Sequence, residues 1–194
     1  MMCKKILVVN GNPKPDSFCA ELANSYVASS KHNEVKLISL HALEFDCDLT
    51  SGYDEIQALE PDLVDFQQAI LWAEHVVFVL PVWWGGMPAK LKGLIDRTFL
   101  PGFAFKFLEN KTIPERLLKG RTADVIVTMD SPPFYYRWFQ GNPVVKQLER
   151  TILKFSGFKR VSATYIGPVI NSTTVQRDKW TKQVVKLASK RAVG

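Results

Sequence analysis

The chain has 194 residues, of which 46% are apolar and 23% charged, and its formal net charge is +6. This balance is typical of a globular domain and excludes long disordered segments. No apolar run approaches the roughly 20 residues of a membrane span, so we expect no transmembrane segment. The positive charge favours an anionic small-molecule ligand, and it is too evenly spread to indicate nucleic acid. We expect one domain covering residues 1–194.

The cysteines and histidines give no sign of a metal site. Cys3, Cys19 and Cys47 lack CxxC or zinc-finger spacing, which agrees with a reducing cytoplasm as the expected location. The three histidines share no metal-ligand spacing, and we expect no bound metal. The short apolar run after Lys5 leads into Gly and Pro rather than a cleavage site, so it predicts a first strand and not a signal peptide.

The first half of the chain alternates between strand and helix patterns. The run KILVVN predicts a strand over 5–10, and apolar residues at helical spacing predict a helix over 17–30. A second strand is expected over 34–40, and a helix opening on Pro61 is expected over 61–73. The nearly continuous apolar run HVVFVLP indicates a strand covered on both faces, and a helix over 88–100 follows.

The second half continues the alternation. It predicts strands over 121–129 and 159–167, and helices over 142–157, closed by Gly157, and 174–192. Five strands alternating with five helices imply right-handed crossovers and a parallel sheet with helices on both faces. Two insertions, 43–60 and 102–120, leave the sheet and are expected to build a lid or a subunit contact.

Ligands of such sheets bind at the carboxyl ends of the strands, which singles out the loops 11–16, 81–87 and 129–142. The first, NGNPKPDS, is neither GxGxxG nor a P-loop, but it opens a helix whose amides and dipole suit a phosphate. Plain capping of that helix by Asp16 or Ser17 is the alternative. Both interpretations remain open.

The other two loops are rich in aromatic residues. In PVWWGG the glycines would let the backbone approach a planar ligand, and Trp83 or Trp84 could stack on it. Core packing of both indoles is the alternative. The segment TMDSPPFYYRWFQGNP holds five aromatic residues that the core does not need, and Tyr135 and Tyr136 are candidate proton donors. A folded-over lid would account for the same composition.

Together the three loops resemble the NAD(P)H:quinone oxidoreductase family of flavodoxin-fold flavoproteins. The segment PVWWGGMPAKLKGLIDRTFLPGFAF carries the most specific part of the resemblance, and its WW pair is similar to bacterial quinone reductases related to modulators of drug activity. The resemblance implies a flavodoxin-like α/β sandwich with strand order 2-1-3-4-5. It also implies ping-pong turnover, in which NAD(P)H gives a hydride to flavin N5 and a quinone then takes it.

The resemblance assigns roles by position. It places Tyr136 as the catalytic residue, and Phe105, Phe107, Tyr135 and Asn142 at the substrate, with both phenylalanines reaching the partner's active site in a homodimer. The residues implied to hold the flavin are Asn12, Ser17, Phe18 and Cys19 at the phosphate and ribityl chain, Pro81, Val82, Trp83, Trp84 and Gly85 at the ring, and Thr128, Met129, Asp130 and Ser131 at its pyrimidine end.

The sequence departs from the family's pattern at three positions and leaves the proton source and the cofactor open. Asn12 replaces a usual histidine, DSPPF replaces a glycine-rich loop, and the family's relay histidine falls near Asn142, whose amide cannot shuttle a proton. Either water does that work, or proton transfer is not limiting, or the register is shifted. The WW loop favours FAD, and the short segment 51–61 favours FMN. NADPH and NADH are both possible co-substrates.

Other functions also remain possible. A regulatory partner of a potassium-efflux-type transporter is one, since some relatives have that role. A flavodoxin-type electron carrier is disfavoured by the basic charge, and an FMN azoreductase is disfavoured by the WW pair. No nucleic acid partner is expected.

Overall fold

The computed structural model describes residues 3–109 and 111–193. The predicted domain 1–194 also includes Met1, Met2, Asn110 and Gly194, which lie outside the described residues. The strands are β1 (Lys5–Asn10), β2 (Glu34–Ser39), β3 (His75–Pro81), β4 (Phe105–Lys106), β5 (Glu115–Arg116), β6 (Thr122–Thr128) and β7 (Arg160–Ile166).

Five of these strands form one parallel sheet in the order β2-β1-β3-β6-β7. The fourth and fifth strands of the predicted sheet are β6 and β7, so the expected order 2-1-3-4-5 and the flavodoxin-like α/β architecture are confirmed. All seven residues of β3 are buried, as its apolar run predicts for a central strand. The direction of crossover reverses between β1 and β3, which marks the carboxyl ends of these strands as the place for a ligand.

The helices follow the predicted alternation. They are α1 (Phe18–Ala28), α2 (Pro61–Trp72), α3 (Ala89–Thr98), α4 (Pro133–Trp138), α5 (Pro143–Lys146), α6 (Lys154–Ser156) and α7 (Thr174–Val193), with a 3-10 turn at Leu40–Ala42 and a π-helical stretch, Gln147–Leu153, joining α5 to α6. The predicted helix over 142–157 is therefore present with a π-helical middle. Within the described ranges, no helix has the length and apolar character that crossing a membrane requires.

Each face of the sheet carries its own core. Helices α1 and α7 pack on one face around buried residues such as Leu22, Tyr26 and Val184. Helices α2 and α3 and the segment 143–156 cover the other face, around residues such as Phe66 and Leu94. Burial on both faces leaves the strand ends as the part of the sheet open to a ligand.

Two segments predicted as loops contain regular structure. The insertion 102–120 holds the antiparallel ribbon β4–β5, whose two-residue strands are too short to give a periodic pattern. The segment 129–142 holds α4, which begins at Pro133, the residue type suited to a first helical turn.

A buried ionic network joins the C-terminal end of α7 to β3 and β6 of the sheet. Asp124 of β6 has 1% of its surface exposed; its carboxylate accepts a hydrogen bond from Arg191 Nε at 2.9 Å and lies 3.2 Å from His75 Nε2. Burial alone would raise the pKa of Asp124, but the hydrogen bonds from His75 and Arg191 outweigh it and hold that pKa below its usual value. The ionised carboxylate is therefore stabilised by folding.

This network predicts a specific acid sensitivity. Because the pKa of Asp124 is lower in the folded than in the unfolded chain, its stabilising contribution is present above about pH 4, the ordinary aspartate pKa, and is lost as the pH falls below it. We expect Asp124→Asn to flatten the decline of unfolding free energy as the pH falls below about 4. Urea titrations of both proteins across this range measure the slope. Parallel curves would contradict the prediction.

Candidate functional site

A cleft of about 420 Å³ lies at the carboxyl ends of β1, β3 and β6. Pairing of Pro81 with Thr128 sets the loops after β3 and β6 side by side, and the loop after β1 closes the third side. The predicted residues that line the cleft are Asn12, Ser17, Phe18, Cys19, Pro81, Val82, Trp83, Thr128, Met129 and Asp130. Three loops that are distant in sequence therefore meet at one site, as expected for the carboxyl ends of neighbouring parallel strands.

Some predicted residues lie elsewhere, and the cleft has members that the sequence did not suggest. Trp84, Gly85 and Ser131 lie outside its lining, as do Tyr135, Tyr136, Asn142, Phe105 and Phe107. The additional lining residues are Lys14, Asp16, Val169 and Arg177. Lys14 and Asp16 lie in the predicted phosphate loop itself, whereas Val169 and Arg177 come from the chain after β7, where no pattern marked them.

The loop after β1 is shaped by its asparagines. Asn10 Oδ1 accepts a hydrogen bond from Asn12 N, and Asn12 Oδ1 accepts one from Lys14 N. Ser17 caps α1, since its hydroxyl accepts a hydrogen bond from Ala20 N at 3.2 Å. The cap leaves other first-turn amides of α1 without a helical acceptor, so capping and anion binding are compatible here.

Cys19 forms the floor of the cleft together with Thr128. The Cys19 thiol is 1% exposed and lies 3.2 Å from Thr128 Oγ1. Burial raises the pKa of Cys19, and hydrogen bonds with Thr128 and Asn12 offset this only in part. Cys19 is therefore a neutral, small wall residue at physiological pH and not a thiolate nucleophile.

The WWGG segment is a tight turn. Trp83 N donates to Gly86 O at 2.9 Å and Gly86 N donates to Trp83 O at 2.8 Å. The two central residues, Trp84 and Gly85, have φ values of +50° and +74°, the pattern of a type I′ turn. Gly85 supplies the positive φ of the turn's second central position, and the close approach of this loop to a planar ligand stays a prediction. The turn directs Trp83 to the cleft and leaves Trp84 fully exposed.

Trp84 holds a backbone conformation that costs a non-glycine residue about 1–2 kcal/mol. Asparagine tolerates this conformation and precedes glycine in the most favoured type I′ turns. We expect Trp84→Asn to raise the melting temperature by roughly 2–4 °C, because about 1 kcal/mol shifts a domain of this size by that amount. Differential scanning calorimetry measures the shift. A lower melting temperature would mean that the exposed indole has a stabilising contact.

The segment after β6 differs from its expected form at Tyr136. The side chain of Tyr136 has no exposed surface, and its hydroxyl accepts a hydrogen bond from Val144 N at 3.0 Å. Burial raises the pKa of Tyr136 to about 12. Tyr136 therefore belongs to the core, which corrects the expectation that the core needs no aromatic residue of this segment. The catalytic role inferred for its hydroxyl does not fit this position.

Neighbouring residues of this segment are also engaged. Asn142 Nδ2 donates to Tyr165 Oη at 2.7 Å, and the Arg137 guanidinium lies over the Tyr165 ring at 4.8 Å. Tyr135 is 44% exposed and stacks on Phe139 with 5.5 Å between ring centroids. Of the two candidate tyrosines, Tyr135 is the one that solvent reaches.

Phe105 lines a second groove, and Phe107 packs against Phe105. Their rings meet edge to face at 5.4 Å, and Phe105 also meets Phe155 at 5.1 Å. Phe105 lines a groove of about 320 Å³ between α3 and the π-helical stretch, and Phe107 is 63% exposed. Neither residue lines the cleft of its own chain.

Comparison with known proteins agrees with this architecture. A family model described as a flavodoxin-like fold matches residues 4–187. The chain is 26% identical over 181 residues to a protein of Haemophilus influenzae named an uncharacterized NAD(P)H oxidoreductase, covering 90% of this chain and 87% of that protein. It is 27% identical to FMN-dependent NADH:quinone oxidoreductase 2 of Listeria innocua, covering 84% and 86%.

A solved structure is similar over nearly the whole chain. The Smu.1420 protein of Streptococcus mutans superposes with a TM-score of 0.80 at 29% identity, covering 95% of this chain and 98% of that one. The family resemblance inferred from the three loops is confirmed by these matches.

Proposed function

Because the chain belongs to the family with the flavodoxin-like fold, we propose that it is a flavin-dependent NAD(P)H:quinone oxidoreductase. One observation carries the proposal. The three loops that resemble the flavin loops of quinone reductases line a single cleft. The cleft contains the N-terminus of α1, which suits a phosphate, the indole of Trp83, and the backbone at the carboxyl ends of β3 and β6. The names of the Haemophilus and Listeria relatives support the same reaction class.

The residues present fit a flavin. First-turn amides of α1 suit the phosphate, Trp83 suits the face or edge of a planar ring, and Thr128 to Asp130 offer polar atoms for its pyrimidine end. The chemistry that a bound flavin supplies is two-electron hydride transfer at N5, from NAD(P)H and then to a quinone in ping-pong turnover. The protein's own part is to position the ring and its two substrates in turn.

The backbone amides of the loops after β3 and β6 are the donors that a flavin ring in the cleft would meet. Val82 N donates to Thr128 O and Met129 N donates to Ile166 O, so these two amides are already used within the sheet. The amides of Trp84 and Gly85 are central in the turn and are not needed for its two closing hydrogen bonds. Trp84 and Gly85 lie outside the cleft lining, but their amides and that of Met87 have no backbone acceptor in the described loop, so these are the donors that it would offer to negative charge on a ligand.

Proton supply follows from the same geometry. Tyr136 is buried and Asn142 is hydrogen-bonded to Tyr165, so neither presents a proton to the cleft. We therefore favour water as the proton source, which was one of the alternatives left by the missing relay histidine.

The cofactor is proposed as FAD from the resemblance of the WW loop, with FMN as the alternative that the name of the Listeria relative and the short segment 51–61 support. A homodimer is proposed as well. Exposed Tyr53 and half-exposed Phe155 line the second groove, and exposed Phe107 packs against Phe105 at its edge. A second copy would cover this apolar surface. The three cysteines are unpaired, in keeping with a reducing location.

Initial-rate kinetics test the proposed reaction. NADH or NADPH oxidation is followed while its concentration and that of a water-soluble benzoquinone are both varied. Parallel double-reciprocal lines, with activity lost on flavin removal and regained on adding FAD or FMN, are expected. Absence of quinone-dependent oxidation in the flavin-loaded protein would overturn the proposed function, and intersecting lines would overturn the ping-pong order.

A further inference from the structure

The net positive charge of the chain is concentrated on α7. This helix carries six cationic side chains and one anionic side chain, so it accounts for five of the six formal net charges. The even spread expected from the sequence is therefore corrected. Arg177 lines the cleft and Arg191 pairs with Asp124, which leaves the four lysines of α7 without a part in the proposed function or in the ionic network.

These four lysines share one exposed face of α7, and we call them the lysine stripe. They follow one another at intervals of three or four residues, and all are exposed. At about 100° per residue they fall within an arc of about 80°. Val184 and Ala188, which pack in the core, lie on the opposite side of the helix. The members of the lysine stripe are Lys179, Lys182, Lys186 and Lys190.

The lysine stripe is not neutralised by the described part of the chain. None of its ammonium groups forms an ion pair with a described carboxylate, and Asp178, the one acid of α7, does not pair with Lys182 a turn later. On α3, in contrast, Lys92 pairs with Asp96. Like charges four residues apart repel and destabilise a helix. An anionic partner would relieve this repulsion.

Exposed aliphatic residues lie at the end of the lysine stripe that is nearer the cleft. Val175 is 77% exposed and lies one turn before Lys179 on the same face of α7. Ile170, which precedes the helix, is 69% exposed. The phosphate backbone of a nucleic acid offers nothing to aliphatic side chains, whereas the interface of a bilayer takes apolar and cationic side chains together. This combination favours a lipid surface.

The other end of the lysine stripe adjoins a cationic hollow. The hollow has a volume of about 390 Å³ and lies where β3, β6 and β7 begin. Lys4, Arg160 and Lys190 are among the residues that line it, and Glu74 is the one carboxylate of its lining. A hollow of this charge suits a lipid phosphate. The cationic surface therefore extends from the lysine stripe past the end of α7.

We propose that α7 docks the protein on an anionic lipid bilayer, with the lysine stripe against the headgroups and Val175 at the interface. A helix of 20 residues is about 30 Å long, so it can lie along a planar surface. Helix α7 and the second groove lie on opposite faces of the sheet, so the proposed homodimer leaves the lysine stripe uncovered. Docking does not use the cleft, and its test does not depend on the proposed function.

Co-sedimentation with vesicles tests the proposal on the full-length protein. Vesicles of phosphatidylcholine alone are compared with an equal mixture of phosphatidylcholine and phosphatidylglycerol, at low ionic strength and at about 0.5 M salt. We expect binding to the mixed vesicles at low salt, little binding to the neutral ones, and release by high salt, because salt screens the attraction. Binding of equal strength to both kinds of vesicle, or to neither, would overturn the proposal.

Paired substitutions locate the docking face. Lys182→Gln combined with Lys186→Gln is expected to weaken binding to the mixed vesicles about 30-fold, since each lysine near an anionic surface contributes about fivefold. Lys111→Gln combined with Lys119→Gln is the matched control. It removes the same charge from exposed lysines of the insertion 102–120, and a loss of less than about threefold is expected. Equal losses in the two double variants would show that net charge alone acts and would overturn the docking face.

A competing polyanion separates lipid from nucleic acid. A short DNA duplex of mixed sequence is added to the vesicle-bound protein until its phosphate concentration equals that of the phosphatidylglycerol. We expect the protein to stay on the vesicles, and we expect Val175→Ser to bind them several-fold more weakly, because an aliphatic contact is lost. Displacement of most of the protein by DNA would overturn the proposal. Thermal unfolding checks that every variant is folded.

Discussion

Replacing Gly167 with alanine is expected to distort the cleft and release the flavin. A Cβ at Gly167 would lie 2.5 Å from Met129 O, 2.9 Å from Met129 Cγ and 3.1 Å from Ser131 O. The Met129 carbonyl cannot turn away freely, because it accepts a hydrogen bond from Val169 N at 3.0 Å. The strand end that lines the cleft must therefore shift, at a cost of about 1–3 kcal/mol.

Two measurements report the effect of Gly167→Ala. Thermal unfolding of the flavin-free protein should show a melting temperature lower by several degrees, since each kcal/mol corresponds to about 2–4 °C at this size. Flavin affinity should fall by more than about tenfold, because Met129 lies in the cleft wall. Gly86→Ala is the stability control, since its Cβ would meet Trp83 O at 3.5 Å, an ordinary contact. Wild-type stability and affinity in Gly167→Ala would contradict the prediction.

Arg97→Ala is expected to cause the largest loss of stability. Arg97 is completely buried on α3, where Nη1 donates to Asp46 O at 2.6 Å and Nη2 donates to Ala58 O at 2.9 Å. Nη2 also pairs with Glu60 at 2.8 Å. Because the insertion 43–60 has no helix or strand within its described residues, these contacts hold it against α3. Their removal takes this donor from two carbonyls and from Glu60, whose Oε1 still accepts from Asp46 N. The cost is about 3 kcal/mol, the low end of the range for a buried pair, because Glu60 is 30% exposed.

Chemical denaturation measures this loss as a lower urea midpoint with an unchanged slope. Hydrogen exchange is expected to show the amides of 46–60 losing protection before the sheet does. Lys92→Ala on the same helix is the matched control, because the pair of Lys92 with Asp96 is about 40% exposed and such pairs contribute about 1 kcal/mol or less. An effect of Arg97→Ala no larger than that of Lys92→Ala would show that the insertion does not depend on this arginine.

The sheet could be predicted from the sequence because each strand carries its own signal. Apolar β-branched runs such as β3 are bounded by Gly, Pro and Asn, and the helices between them show apolar residues at helical spacing. Strand order followed from family resemblance, and the strand-end rule then located the loops of the cleft. The local sequence pattern was enough to predict these strands and helices, because their tertiary contacts favour the same secondary structure.

The remaining features depend on contacts between segments distant in sequence. Tyr136 belongs to the core because its hydroxyl meets Val144 N, and no spacing in the aromatic segment separates it from exposed Tyr135. From the sequence alone, Arg97 is indistinguishable from an exposed charged residue on an amphipathic helix. Its burial follows from the packing of the insertion 43–60 against α3. Arg177 reaches the cleft only because α7 packs beside α1. The WWGG segment was the exception, since a glycine at the second central position is a type I′ signal that could have been recognised.

The visible absorption spectrum of the purified protein tests the central claim, that the cleft holds a flavin which passes electrons from NAD(P)H to a quinone. We predict oxidised-flavin bands that bleach on anaerobic addition of NADPH or NADH and return when a quinone is added. Heat release and chromatography of the cofactor then distinguish FAD from FMN. A colourless protein that neither flavin reconstitutes would contradict the account, and the cleft formed by Asn12, Trp83 and Thr128 would then need a different ligand.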